Sequence, residues 1–155
     1  MLRTNNIILL FGKICSGKST YAEALRYVLK AHRITVSDIV KRVSGQVSRS
    51  ELQNTGHMDQ LIAKELISEI KKYDKVIVDG IRQYSIVVEL AAEFGLDAMD
   101  YIWLEVPDYK RRNRFYDRAV AKDDITFEEA DARDAKLGLL ELQEKLKDSY
   151  TIINN

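Results

Sequence analysis

Ile7-Ile8-Leu9-Leu10-Phe11-Gly12-Lys13-Ile14-Cys15-Ser16-Gly17-Lys18-Ser19-Thr20 is the stretch on which the fold turns. Its apolar start is unbroken, the pattern of a central parallel strand buried on both faces. From Gly12 to Ser19 the chain then fits G-x-x-x-x-G-K-[ST] without a mismatch. Two glycines, a lysine and a hydroxyl residue at those offsets arise by chance in fewer than about one chain of this length in a hundred. Glycine lets successive N–H groups converge on phosphate oxygens with no side chain in the way. A helix opening at Lys18 adds the positive end of its dipole. Lys18 is expected to reach the β- and γ-phosphates of a nucleotide, and Ser19 to offer its hydroxyl to Mg²⁺. The expected ATP-binding residues are Gly12, Lys13, Ile14, Cys15, Ser16, Gly17, Lys18, Ser19 and Thr20. Cys15 lies near a helix N-terminus, where a thiol can be acidified, but it has no plausible base for nucleophilic catalysis.

Working outward, short apolar runs alternate with helical patterns. A helix is predicted over residues 18–31, with Tyr21, Ala24, Leu25 and Val28 on one face. Ile34-Thr35-Val36 reads as a second strand. Met58, Leu61, Ile62, Leu66, Ile70 and Tyr73 form a helical stripe, and Val76-Ile77-Val78 is a third strand. Residues 86–94 are helical again, and Tyr101-Ile102-Trp103-Leu104 with Val106 is the strongest strand of the second half. Two charged helices are predicted between Pro107 and Asp148, the second opened by the capping box Thr126-Phe127-Glu128-Glu129. Tyr150 to Ile153 completes the strands. The alternation predicts an α/β fold: a parallel five-stranded sheet, order 2-3-1-4-5, with helices on both faces in three layers. The ligand belongs at the C-terminal edge of such a sheet.

Length and charge bound the rest. At 155 residues the chain is one domain, and no linker or repeat divides it. It contains one cysteine and two histidines, which leaves neither a disulfide framework nor much for zinc. The first apolar run is too short for a membrane span or a secretory signal, which predicts a cytoplasmic chain without membrane partners. Lys plus Arg and Asp plus Glu are 24 each. A net charge of zero argues against a nucleic-acid-coating or polybasic membrane-surface protein, while leaving room for a local basic pocket.

Past the loop, Val76-Ile77-Val78-Asp79-Gly80 ends a buried strand in an acid placed to hold Mg²⁺ with Ser19. A plain strand-end turn is its other reading. Asp79-Gly80-Ile81-Arg82 resembles the D-G-[FIV]-(P)-R segment of adenylate kinases and of related archaeal kinase-like proteins. Residues 7–154 as a whole resemble the P-loop nucleoside monophosphate kinase and dephospho-CoA kinase-like superfamily. The resemblance implies that Arg82 grips the phosphate of the acceptor. In Val36-Ser37-Asp38-Ile39-Val40-Lys41-Arg42, it implies acceptor contacts for Asp38 and for Lys41 or Arg42; Asp38 could equally be a helix N-cap. Arg49-Ser50-Glu51-Leu52-Gln53-Asn54-Thr55-Gly56 resembles an R-x-x-L-Q-x-x-G stretch of viral deoxynucleoside monophosphate kinases. That likeness implies a phosphate contact for Arg49 and a base or sugar contact for Gln53, and a helix-capping loop is the alternative.

Val106-Pro107-Asp108, with Lys110, Arg111, Arg112, Arg114 and Arg118 following, is similar to the start of the lid in these kinases. Arg114 and Arg118 are four apart and share a helix face; with Lys18 and Arg133 they are the implied catalytic cations, neutralising charge on the transferring phosphoryl group. Ordinary ion pairs on a solvated helix are the competing reading. Asp148-Ser149-Tyr150-Thr151-Ile152-Ile153-Asn154 resembles the A-D-Y-x-I-x-N ending of the last strand in dephospho-CoA kinase-like proteins. The family continues with another helix there, so an open nucleobase site is expected. The implied protein is a single kinase domain over residues 1–155, with an acceptor segment near 38–56 and a short lid near 107–134. It would transfer the γ-phosphate of ATP to a small nucleotide, a (deoxy)nucleoside monophosphate. Dephospho-CoA, a hydroxyl on a nucleic acid or modified base, and a regulatory ATP-binding module are the other readings.

Overall fold

A computed structural model of the chain describes residues 5–45, 55–118 and 125–155. Five parallel strands, β1 (Ile7–Gly12), β2 (His32–Thr35), β3 (Val76–Asp79), β4 (Met99–Glu105) and β5 (Tyr150–Asn154), form one sheet in the order β2-β3-β1-β4-β5. The predicted order is the observed one. β1 lies in the middle because it is the strand with no polar residue to expose: Leu9 is in register with Val78 on one side and Tyr101 on the other.

Helices α1 (Lys18–Leu29), α2 (Val36–Ser44), α3 (Thr55–Ile70), α4 (Tyr84–Phe94), α5 (Asp108–Arg118), α6 (Phe127–Lys136) and α7 (Leu139–Leu146) connect the strands. The larger core lies on one sheet face. There Leu9, Phe11, Val78 and Trp103 meet Ile39 of α2, Leu66 of α3, Leu90 of α4 and Leu142 of α7. The other face is thinner: Ile8, Leu10, Ile77 and Leu104 are covered by Ala22 of α1, with Tyr21, Leu25 and Leu29 packed around it.

That packing corrects the predicted face of the first helix. Ala22 and Leu29 face the sheet, whereas Ala24 and Val28 face solvent. The helix also ends at Leu29, with Lys30 in the left-handed region at φ 53°. Val36 begins α2 rather than ending β2, so the second strand stops at Thr35.

The region after Pro107 holds three helices among the described residues, not two. Thr126 caps α6 as the sequence predicts, its hydroxyl accepting from the Glu129 N–H at 3.1 Å. The unforeseen break is Gly138, which has φ 107° and separates α6 from α7. A Cβ there would stand 3.3 Å from the Arg82 carbonyl oxygen, so both the left-handed backbone and the close approach call for glycine. No helix among the described residues is long and apolar enough to cross a membrane.

Candidate active site

The chain leaves the C-terminal end of β1 at Gly12, turns through residues 13–17 and re-enters regular structure at Lys18. The turn is tight enough to need two left-handed residues, Cys15 at φ 58° and Gly17 at φ 87°. A side chain at Gly17 would also collide with Asn155, whose Nδ2 lies 2.6 Å from the Cβ position. The loop opens onto a cleft of about 600 Å³ at the C-terminal edge of the sheet. Ile14, Cys15, Ser16, Gly17, Lys18 and Ser19 line it from below, Thr35, Ser37, Asp79 and Arg82 from the β2–β3 side, and Arg118, Arg133 and Asp134 from the helices above.

Lys18 curls back over the loop. Its Nζ donates to the Gly12 carbonyl at 2.8 Å and to the Lys13 carbonyl at 3.3 Å. Burial pushes its pKa below the ordinary 10.5, and the negative charges of Asp79 and Asp134 oppose that fall. The ammonium is therefore short of anionic partners, the condition that a phosphate corrects.

The outer side of the loop is held by side chains from distant parts of the chain. The Ile14 N–H donates to Asp134 Oδ2 at 3.1 Å, and the Ile14 carbonyl accepts from Arg111 at 3.3 Å. The Cys15 carbonyl accepts from Arg114 at 3.2 Å, and the Ser16 carbonyl from Asn155 Nδ2 at 2.9 Å. Arg111 is 1% exposed and is neutralised by Asp131 and Asp108, each 2.8 Å away. Its guanidinium also lies over the Phe127 ring, 5.0 Å from the centroid. With their carbonyls tied back, these peptides keep their conformation before any ligand arrives.

The predicted site residues separate into three groups. Ile14 to Ser19, Asp79, Arg82, Arg118 and Arg133 meet around the cleft. Among the described residues Arg118 and Arg133 are exposed and have no ion-pair partner. Asp79 is 4% exposed, and its Oδ2 accepts from Arg33 at 2.7 Å.

A second group is placed elsewhere. Arg114 does not share the position of Arg118: it turns under the loop to Cys15 and to the main-chain oxygen of Asn155 at 3.1 Å. The spacing of four leaves the two side chains diverging around α5, and the nearby loop carbonyls attract the inner one. Asp38 is an exposed residue in the first turn of α2, where Thr35 rather than Asp38 is the N-cap. Lys41 is exposed in the last turn of that helix. Arg42 bridges to α3, pairing with Glu65 and Glu69 at 2.9 Å each, because those acids face it across the helix contact. None of Asp38, Lys41 and Arg42 lines the cleft, and Thr35 and Ser37 stand there instead. Gly12 and Lys13, at the start of the loop, and Thr20, exposed on α1, also lie outside the lining.

Arg49 and Gln53, the third group, lie outside the described residues.

Sequence reasoning missed Arg33, Arg111 as a loop support, and Asp134. The last had a signal: Phe127, Ala130 and Asp134 follow the i, i+3, i+7 spacing of a buried stripe, so an acid there is an acid turned inward. It is 4% exposed.

With this geometry in view, a family model described as AAA domain matches residues 8–136. No curated protein matches the chain. Among solved structures, TT1252 from Thermus thermophilus is similar at 16% identity and a TM-score of 0.64, over 99% of this chain and 90% of that one. Shikimate kinase from Bacteroides thetaiotaomicron is similar at 18% identity and a TM-score of 0.58, over 96% and 85%. A gluconokinase from Sinorhizobium meliloti 1021 follows at 14% and 0.61, over 99% and 84%. What is shared with them is the fold, which in this chain is a five-stranded parallel sheet with the phosphate loop after its central strand.

Proposed function

The chain belongs to the AAA domain family, and from that membership and the intact phosphate loop we propose that it is an ATP-dependent phosphotransferase acting on a small nucleotide, a nucleoside or deoxynucleoside monophosphate. The observation that carries the choice of acceptor is the state of the two cleft carboxylates. Asp79 is paired with Arg33 and Asp134 with Arg82, each at 2.7 Å. Among the described residues no other acid lines the cleft. Each carboxylate is thus already engaged by a guanidinium, and neither stands unpaired in the cleft to take a proton. A hydroxyl acceptor needs its proton removed during attack. A phosphate monoester brings an oxygen that is already anionic at neutral pH, and so suits a cleft without a free base.

The loop N–H groups and the start of α1 would receive the β- and γ-phosphates of ATP. Lys18 then exchanges the Gly12 and Lys13 carbonyls for phosphate oxygens, and the new negative charge raises its pKa and keeps it cationic. The Ser19 hydroxyl and the Asp79 oxygen not used by Arg33 are hard donors on the same cleft, a set that fits Mg²⁺ beside phosphates. When bound, that ion neutralises charge on the β- and γ-oxygens. Arg82 lines the same cleft as the loop, and in this reading it receives the phosphate of the acceptor. An acceptor oxygen forms a bond to the γ-phosphorus as the bond to the β,γ-bridging oxygen breaks. ADP leaves with that electron pair, and the acceptor becomes a diphosphate. Arg118 and Arg133 supply charge to the equatorial oxygens from the lid side, so positioning and charge neutralisation perform most of the catalysis.

ADP release with a panel of ribo- and deoxynucleoside monophosphates, dephospho-CoA and oligonucleotides tests the reading. Stimulation by monophosphates is expected, together with a loss of at least ~10³-fold in Lys18→Ala at unchanged circular dichroism. Stimulation confined to dephospho-CoA or oligonucleotides would move the acceptor to a hydroxyl. Silence across the panel, with tight ATP binding, would make the protein a regulatory module.

A further inference from the structure

Among the described residues, Asp134 is the carboxylate that touches both the phosphate loop and Arg82. Its Oδ2 accepts the Ile14 N–H of the phosphate loop at 3.1 Å, and its Oδ1 lies 2.7 Å from Arg82 Nε. The carboxylate is nearly buried, with a side chain 5% exposed, and Arg82 is 36% exposed. Using Nε has a consequence. A guanidinium binds a phosphate best through its terminal pair of nitrogens, and among the described residues no hydrogen bond occupies those of Arg82. The residue is thus held by its inner edge with its outer edge left for a ligand. The α6–α7 turn adds a second restraint, since Gly138 packs against the Arg82 carbonyl.

We infer that Asp134 is a positioning residue that registers the acceptor-binding arginine against the donor-binding loop, setting the distance between the two phosphates that must react. The inference rests on the reading of Arg82 as the acceptor-phosphate contact. One carboxylate bridging both elements fixes their separation more tightly than two independent contacts would. A shift of the loop at Ile14 when ATP binds is passed to Arg82 through the two oxygens of one rigid group.

Asp134→Asn isolates this role. The asparagine oxygen can still accept from Ile14, but its amide cannot pair with Arg82. Initial rates with dAMP, dCMP, dGMP and dTMP, and ATP binding by calorimetry, are to be measured for wild type, Asp134→Asn, Arg82→Ala and the double variant. The expected result is an acceptor KM raised about tenfold or more in Asp134→Asn with ATP affinity within about threefold, and less than about a twofold further change when it is added to Arg82→Ala. Arg82→Lys, at a partly exposed position, guards against misfolding of the buried variant. A lysine has no second edge to be held by, so its acceptor KM should approach that of Arg82→Ala. Full additivity of Asp134→Asn and Arg82→Ala, or near-normal kinetics in Arg82→Lys, overturns the positioning role while leaving the acceptor reading intact. An unchanged acceptor KM in Arg82→Ala, or no turnover of any monophosphate, overturns both.

Discussion

Arg111 and Arg118 stand two turns apart on α5 and live in opposite environments. Arg111 is 1% exposed, bonded to Asp108, Asp131 and the Ile14 carbonyl. Arg118 is exposed on the cleft wall and, among the described residues, has no ion pair. One guanidinium holds the phosphate-loop motif in shape; the other faces the cleft onto which that loop opens. The difference shows that residue type and helix spacing do not decide between structure and chemistry. The decision comes from how many acceptors the tertiary fold delivers to each side chain. Arg111 has the acceptors for its guanidinium already supplied and is structural, whereas Arg118, with no ion pair among the described residues, is available to a ligand.

Of the two arginines, Arg118 should give the larger effect on turnover when substituted, and break the comparison from the catalytic side. Arg118→Ala is expected to lower kcat about 100-fold, with ATP affinity and Tm nearly unchanged, as read by steady-state rates, calorimetry and thermal melts. A defect limited to ATP affinity would assign Arg118 to ground-state binding. Substituting Arg111 should invert the pattern. Arg111→Ala strands the partly buried Asp131 and frees the Ile14 carbonyl, for a loss of about 3 kcal/mol. In a domain of this size that lowers Tm by about 10 °C. An unchanged melting temperature would erase the distinction between the two arginines.

The smallest effect sharpens the comparison through pH. Its hydrogen bond to Arg111 holds the Asp108 carboxyl below the ordinary value of 3.8. Because the folded value is depressed, the associated stability is fully present above pH 3.8 and is lost as pH falls through that region toward the folded value. Asp108 is largely exposed, so the contribution is slight. Asp108→Asn should melt a little below wild type at pH 6, with the gap closing as the pH is lowered past 3.8. A gap that persists in acid would mean that charge on Asp108 is not what matters.

The legible parts of the molecule were those decided by local pattern. The apolar run of β1, the glycines and lysine after it, and the cap at Thr126 each act within a few residues, and each lies where the sequence puts it. The strand order followed from alternation and crossover handedness. Less legible were contacts between elements. Arg42 sits in a segment that resembles an acceptor site, yet Glu65 and Glu69 claim it once α2 packs on α3. Arg33 reaches Asp79 only because β2 and β3 are neighbours in a parallel register that sets Thr35 beside Asp79. Arg114 and Arg118 show the same limit of spacing: four residues bring two side chains to one side of a helix but do not say which reaches a carbonyl first.

The supports of the phosphate loop also order events in time. The loop is synthesised before its supports: Arg111 lies 97 residues from Ile14, Arg114 lies 99 from Cys15, Asp134 lies 120 from Ile14, and Asn155 lies 139 from Ser16. Contacts of such separation form late, because the entropy of closing long loops must be met before they can form. A nascent chain therefore carries the complete binding motif long before it carries the means to hold its shape. The shape of the loop is thus a property of the finished fold, set by side chains that the ribosome adds last among those that touch it.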